Sequence, residues 1–422
     1  MKYDVSIIGG GPAGLMAAAR AAELGAKVIL VEKNPGLGVK LLLTGGGRSN
    51  LTNNITDPRV FAARLGKNGK FLLAALYKFG VTETLDFFHS RGLLTKVENN
   101  NRVFPVSNKA ADVLAVFLKE LQKYQVVISA KSQVKKIVSQ NNKIVKIVLA
   151  SGREILANNF ILATGGKSYP QTGSSGDGYK WLVQLHHTII SPQPCLAPLL
   201  VEAAFIKDLE GLSIIGAKLN LYFGAKKIAS TSGDIIFTSS GLSGPAALDL
   251  SRLIAPEAIK DLYVEVDFLP QLESSFLDKK LQQALACGTK QIKNCLDGLV
   301  APKFKPVLFK LSQIDPAKKS SLISRQERLA LVKLLKNFKL KIKALAGFER
   351  AMITSGGAVL TEIDPRTMRS EIISNLFICG EILDLAGPTG GFNLQICWSS
   401  GYLAGESAAT GIIIKSQRTK LK

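Results

Sequence analysis

Histidine is scarce in this chain, paired cysteine is missing, and no long hydrophobic run occurs. Among 422 residues there are three histidines, His89, His186 and His187, and five cysteines, Cys195, Cys287, Cys295, Cys379 and Cys397. No two cysteines form C-x-x-C and the histidines lack metal-ligand spacing, so the pattern argues against structural zinc and no metal is expected. An odd number of unclustered thiols fits a reducing compartment, and a cytoplasmic protein is the expectation. No apolar stretch reaches the ~18 to 20 residues that cross a bilayer. Asp4 and the glycines after it break the N-terminal run that would otherwise resemble a signal peptide. Acid is missing from one region above all: 276–345 holds 16 Lys or Arg against Asp278, Asp297, Asp315 and Glu327.

Glycine, by contrast, is abundant and placed. Gly9, Gly11 and Gly14 follow the apolar run Val5 to Ile8 and open an Ala-rich segment, which is the G-x-G-x-x-G dinucleotide fingerprint. Its first glycine permits the strand-to-helix turn, the second lets a pyrophosphate approach, and the third allows close helix–strand packing. The helix N-terminus then offers unpaired N–H groups to phosphate. Glu32 closes a second apolar run, Lys27 to Val31, where a carboxylate accepts the ribose hydroxyls of an adenosine. Two later segments, Ile161 to Gly166 (ILATGG) and Leu376 to Glu381 (LFICGE), read as short buried strands ending against the same ligand. A ligand contacted from both chain ends is long, which favours FAD over NAD. Gly387 to Gln395 (GPTGGFNLQ) precedes a helical pattern over Gln395 to Ala409, so its amides and the helix dipole are expected to face the flavin.

The length predicts two or three domains. We expect an α/β protein: a Rossmann-like FAD-binding domain in two parts, 1–190 and 346–422, interrupted by a β-rich subdomain, 191–275, and a basic helical one, 276–345. Asn141-Asn142 is the expected turn of a strand pair near Val126 to Leu149. Ser191-Pro192-Gln193-Pro194 reads as a linker. On a helix over Ser321 to Leu345, Arg325, Arg328, Lys333, Lys336, Lys339 and Lys343 fall within an arc of about 140°, opposite Leu331, Leu334, Leu335, Phe338, Ile342 and Leu345. With a net charge of +22, this arc is the expected contact with an RNA polyanion.

The runs GGGPAG, LLLTGGGRSNLTN (Leu41 to Asn53), ATGGKSYPQTGSSGDGY (Ala163 to Tyr179), FTSSGLSGPA (Phe237 to Ala246) and GEILDLAGPTGGFNLQICWSSGYLAG (Gly380 to Gly405) resemble the BaiN/RdsA family of FAD-dependent oxidoreductases. Ser49 and Ser239 depart from it, standing where relatives carry Cys and His. The resemblance implies non-covalent FAD, reduction by a transiently bound NAD(P)H, and hydride delivery to an activated C=C bond. The substrate it implies is a uracil base of ribosomal RNA, reduced to dihydrouridine, or a conjugated 3-oxo bile-acid-like enone. Of these, the charge favours RNA. A flavin-binding RNA or ribosome-assembly factor without dedicated turnover is a third reading.

Residues matching the family motifs extend the cofactor set with Lys40, Thr44, Gly45, Gly46, Gly47, Arg48 and Asn50. Pro12, Ala13, Lys33, Val134, Ala163, Thr164, Gly165, Gly166, Gly380, Gly387, Thr389, Gly390, Gly391, Phe392, Asn393 and Leu394 complete it beside Gly9, Gly11, Gly14, Glu32, Glu381 and Gln395. Cys397 and Tyr169 are the candidate catalytic proton donors.

Overall fold

The computed structural model describes residues 2–254, 256–286 and 288–420; Cys287 lies outside the described residues. They form two compact units, Met1–Pro194 with Ala351–Lys422, and Cys195–Arg350.

In the first unit, β1 (Lys2–Ile8), α1 (Pro12–Glu23) and β2 (Val28–Val31) make a parallel βαβ turn, with Val5 opposite Val28 and Ile8 opposite Val31. Both sheet faces are covered, so Val5, Ile7, Ile29 and Leu30 are fully buried and the strands read as near-continuous apolar runs. On its other side β1 pairs in parallel with Glu154–Leu162. That strand serves two partners: its start runs antiparallel to Lys143–Leu149, and Phe160, Ile161 and Leu162 run parallel to Leu376–Ile378. The hairpin Val134–Gln140 to Lys143–Leu149 turns at Asn141 and Asn142, both left-handed (φ 51° and 55°), as a two-residue hairpin loop requires.

The C-terminal helix Phe392–Lys420 lies against α1 with almost nothing between the backbones. A Cβ on Gly401 would stand 2.4 Å from the Ala13 carbonyl oxygen, and one on Gly405 2.4 Å from that of Ala17. Ser191–Pro194, expected as a linker, does end the first stretch of this unit, but not as a free loop. It belongs to the strand Ile189–Cys195, which pairs with Ile353–Ala358 in a two-stranded sheet. Each strand there has one open edge, which tolerates the missing N–H of Pro192 and Pro194.

The second unit is a closed barrel in the order Leu199–Glu202, Gly241–Ser243, Lys226–Thr238, Ser213–Phe223, Leu262–Asp267 and Phe338–Leu345, the last pairing back with the first. Inward side chains such as Leu219, Leu221, Val264, Leu340 and Ile342 fill it. The helices Ser274–Leu285, Lys305–Ser312 and Arg325–Lys336 come between its last two strands.

Two expectations are corrected here. The helix predicted to reach Leu345 ends at Lys336, and Phe338–Leu345 is a barrel strand. From Phe338 onward the residues alternate, Phe338, Leu340 and Ile342 inward and Lys339, Lys341 and Lys343 outward; that period of two overrides the helical reading. The basic segment is therefore helical only in part, and its six cations share no single arc. Lys336 is buried, 2.7 Å from Asp267, and donates to the carbonyls of Leu269 and Leu272. Arg328 is held by Asp278 at 2.7 Å. Arg325 and Lys333 stay exposed on the helix, Lys339 and Lys343 on the strand.

Candidate cofactor cleft

The parallel strands of the first unit point their C-terminal ends at one cleft, enclosing about 1150 Å³ including its mouth. It lies where the chain leaves β1 toward β2 on one side and Glu154–Leu162 on the other, the switch point at which open α/β sheets bind ligands. Three glycines divide the work as their spacing predicts. Gly9 (φ 108°) crosses the Ala163 backbone so closely that a Cβ would meet the Ala163 oxygen at 2.4 Å. At Gly14 a Cβ would sit 1.9 Å from the Gly9 oxygen. A Cβ on Gly11 would meet no protein atom within 4 Å, so its missing side chain leaves a space beside the N-terminus of α1 that no protein group fills.

Glu32 is fixed at the floor of this space, accepting the Gly10 N–H on Oε2 at 2.7 Å and the Asn34 N–H on Oε1 at 2.8 Å. Pro12, Ala13, Val134, Ala163, Gly165, Asn393 and Leu394 line the same cleft. So does Thr164, whose buried Oγ1 has no hydrogen-bond partner among the described residues. A helix N-terminus, a glycine-shaped gap, a carboxylate and an orphaned hydroxyl are what a dinucleotide needs, and the residues fit FAD.

The cationic wall residues are already engaged. Lys33 bonds Asp177 at 2.9 Å. Lys40 reaches Glu381 at 2.8 Å and Ser168 at 2.7 Å, and Glu381 also accepts the Thr354 N–H at 3.0 Å. Lys40 and Glu381, both expected in the cofactor set, line the cleft and are also partners of each other. Thr44 lines the cleft, while Arg48 is held by Glu98 and Asn108 and stacks on Phe104. Gly45, Gly46 and Gly47 all take positive φ and shape the turn before Arg48. Asn50, with its amide oriented to satisfy both ends, donates to the carbonyls of Thr52 and Val103 and accepts from Gly391.

The loop before the C-terminal helix is held in the same way. Asn393 accepts from Gly387 N–H at 2.8 Å and donates to the Gly387 and Pro388 carbonyls, fixing the loop while facing the cleft. A Cβ on Gly391 would strike Thr52, and one on Gly390 would approach Asn53 at 3.5 Å. Phe392 packs on Phe61. Gln395 corrects the expectation placed on it. It is fully buried, taking a hydrogen bond from Thr52 and donating to Gly80, Thr84 and Ser399, and it ties three segments together behind the cleft wall. Gly166 and Gly380 likewise serve contact, since a Cβ would meet Thr354 and Ala13 respectively.

Of the two candidate proton donors, Cys397 lines the cleft and Tyr169 does not. Burial, with Glu381 nearby, pushes the Cys397 thiol up to about 12, so it stays protonated at neutral pH. Tyr169 takes a left-handed backbone (φ 52°, ψ 59°) and places its hydroxyl 3.7 Å from Sδ of Met352, a cleft residue. Sequence reading missed Asn34, Gly38, Ser132, Gln133, Asp177, Trp181 and Met352 on the walls. Ser132 and Gln133 follow a parallel strand end, Val127–Ser129, and that topology was their one available signal. No group of His, Cys, Asp and Glu among the described residues could hold a metal ion, and no described helix is long and apolar enough to cross a membrane.

The model of the HI0933-like protein Rossmann domain matches residues 3–407. The chain is 34% identical to the 3-dehydro-bile acid delta(4,6)-reductase of Clostridium scindens over 96% of its own length and 98% of the relative's. It is 27% identical to the ribosomal RNA dihydrouridine synthase of Escherichia coli K12, covering 95% and 96%. Its fold is similar to 3-ketosteroid-delta4-(5alpha)-dehydrogenase from Rhodococcus jostii RHA1, with a TM-score of 0.57, 16% identity and 97% of each chain covered.

Proposed function

The chain belongs to the HI0933-like family of flavoprotein oxidoreductases, and from that premise we propose that it uses NAD(P)H to reduce an activated C=C bond, its substrate being a uracil base of ribosomal RNA. The observation that carries the substrate choice is the surface of 276–345. Twelve of its 16 Lys and Arg side chains are exposed, among them Lys279, Lys280, Lys290, Lys310, Lys319 and Arg325. A bile acid needs one or two cations, whereas an RNA is drawn by many at once and its counterions are released.

The cleft residues support the cofactor half of this reading. The N-terminus of α1 and Gly11 would take the pyrophosphate, Glu32 the adenosine ribose, and Asn393 and Leu394 the end beside the C-terminal helix. Bound FAD supplies the hydride chemistry. The chain itself holds the base and moves a proton. For that proton we assign the Tyr169 hydroxyl, which stands 3.7 Å from Sδ of the cleft residue Met352. In Tyr169→Phe, flavin reduction by NADPH should stay normal while substrate reduction slows by about 10²-fold or more; equal slowing of both would reject the assignment. A uracil in folded RNA must leave its stack to reach such a cleft, at a cost of a few kcal/mol, which phosphate contacts elsewhere offset.

A second reading has its own observation. Leu42 and Leu43 beside the cleft-lining Leu41 and Thr44 are 37% and 52% exposed, and Met352 is 37% exposed, an apolar rim suited to a 3-oxo enone such as the bile-acid relative is named for. NADPH oxidation by the flavin-loaded protein, measured with protein-free ribosomal RNA and separately with a 3-oxo-4-ene steroid, decides between them. Turnover with RNA and dihydrouridine in the product is expected. Turnover with the steroid alone would replace RNA as the substrate.

A further inference from the structure

Four adjacent barrel strands place side chains in one outward row. Lys227 stands opposite Tyr222, Tyr222 opposite Tyr263, and Tyr263 opposite Lys341. The two tyrosine rings are parallel within 2° with centroids 4.9 Å apart, and the Lys339 ammonium lies 3.5 Å from the Tyr263 centroid. Lys339, Lys341 and Lys343 are all exposed, being the outward half of the alternation that ended the expected helix. Two carboxylates share the face. Glu202 pairs with Lys341 at 2.9 Å, and Glu265 is hydrogen-bonded by Tyr222. Among the described residues, Lys227, Lys339 and Lys343 have no ion pair.

We propose that this row is a docking track for single-stranded RNA, on which a base extends the Tyr222–Tyr263 stack while Lys227, Lys339 and Lys343 meet the phosphates on either side. It rests on the RNA reading above and names a surface of the second unit that would hold unpaired strand. A cross-strand tyrosine pair by itself contributes ~0.2 to 1 kcal/mol to a sheet and has no need of three unpaired lysines around it. Stacked rings within a basic surface are instead the combination that binds unpaired strands, because every base offers a ring face and every nucleotide a charge. A duplex hides its base faces, so the same row discriminates against it. A steroid offers neither a repeating charge nor a chain long enough to span Lys227 to Lys343.

The test uses the full-length, flavin-loaded protein and a fluorescein-labelled single-stranded oligouridine, followed by anisotropy across a salt series. Tyr222→Ala with Tyr263→Ala should weaken binding roughly tenfold or more, and the Phe pair should restore it. Lys227→Glu, Lys339→Glu and Lys343→Glu together should weaken it and flatten the slope of log affinity against log salt by about 2, at ~0.7 per phosphate lost. Flavin content and NADPH oxidation without substrate should match the parent in both variants, and an unchanged melting curve and circular dichroism spectrum show that the barrel is folded. If the parent binds and reduces ribosomal RNA while both variants bind as tightly as it does, the track is elsewhere and the RNA reading stands. If the parent binds no single strand, the track is rejected, and the RNA reading falls with it only if ribosomal RNA is also not reduced.

Discussion

The cations that border the cleft of the first unit and those of the basic segment of the second serve different ends. In the cofactor unit Lys33, Lys40 and Arg48 are tied to Asp177, Glu381 and Glu98, so the phosphate site proposed above rests on backbone N–H groups at the start of α1. In the barrel unit most cations of 276–345 face solvent, and only a few such as Lys336 and Arg328 are locked into the fold. The first unit grips its ligand with shape, the second presents charge. Recognition by backbone is sensitive to a single methyl group, whereas recognition by exposed side chains is spread over many residues and fails gradually.

The largest expected effect lies among the glycines of the first unit. Gly14→Val should prevent the unit from folding, because its Cβ would already stand 1.9 Å from the Gly9 oxygen. Gly11→Val should fold and yet purify without flavin, since its side chain enters only the ligand's space. Circular dichroism and visible absorbance separate the two; full flavin in the Gly11 variant would show that the pyrophosphate lies elsewhere.

In the second unit, Lys336→Ala strands Asp267 in the interior and should cost about 3 to 5 kcal/mol in denaturant unfolding. Lys333→Ala, three residues earlier and exposed, should stay within ~0.5 kcal/mol. Equal losses would erase the distinction between locked and presented cations. Arg325→Glu with Lys333→Glu sharpens it from the other side. This pair should leave the melting temperature unchanged and reduce the salt slope of RNA binding by about 1.4, from the same ~0.7 per phosphate.

The smallest effect is alkaline. Because burial raises the Cys397 thiol from 9.0 to about 12, the unfolded chain releases that proton first as pH climbs. Unfolded protein then binds fewer protons than native, so stability is intact below about pH 9 and declines as pH rises toward 12. Cys397→Ala should flatten part of that decline in pH-dependent unfolding, and an unchanged alkaline limb would mean the thiol is not shielded.

What could be read in advance follows the same division. Gly9, Gly11, Gly14 and Glu32 announced the cleft because their spacing is dictated by backbone geometry, which is local. Gln395 was placed at the ligand because a polar residue inside a flavin-facing motif looks the same whether it touches the ligand or braces the wall behind it. Only the burial of Gln395 among Thr52, Thr84 and Ser399 separates the two. The basic segment misled for another reason. Leucines and lysines fit a period of 3.6 up to Lys336 and a period of 2 after it, and one continuous window averaged across the break at Asn337. Lys336 looked like surface because its partner Asp267 is 69 positions away.

The contact of Gly401 and Gly405 with Ala13 and Ala17 joins the chain's first helix to its last. On the ribosome, α1 emerges before the helix that closes over it. Between the two, the whole of Cys195–Arg350 is synthesised as one uninterrupted stretch. The barrel therefore has its full complement of strands before the cofactor cleft has its second wall. A nascent chain stalled or cut before Gly401 would carry a finished barrel and a half-built cleft, so a complete cleft waits for the C-terminal helix.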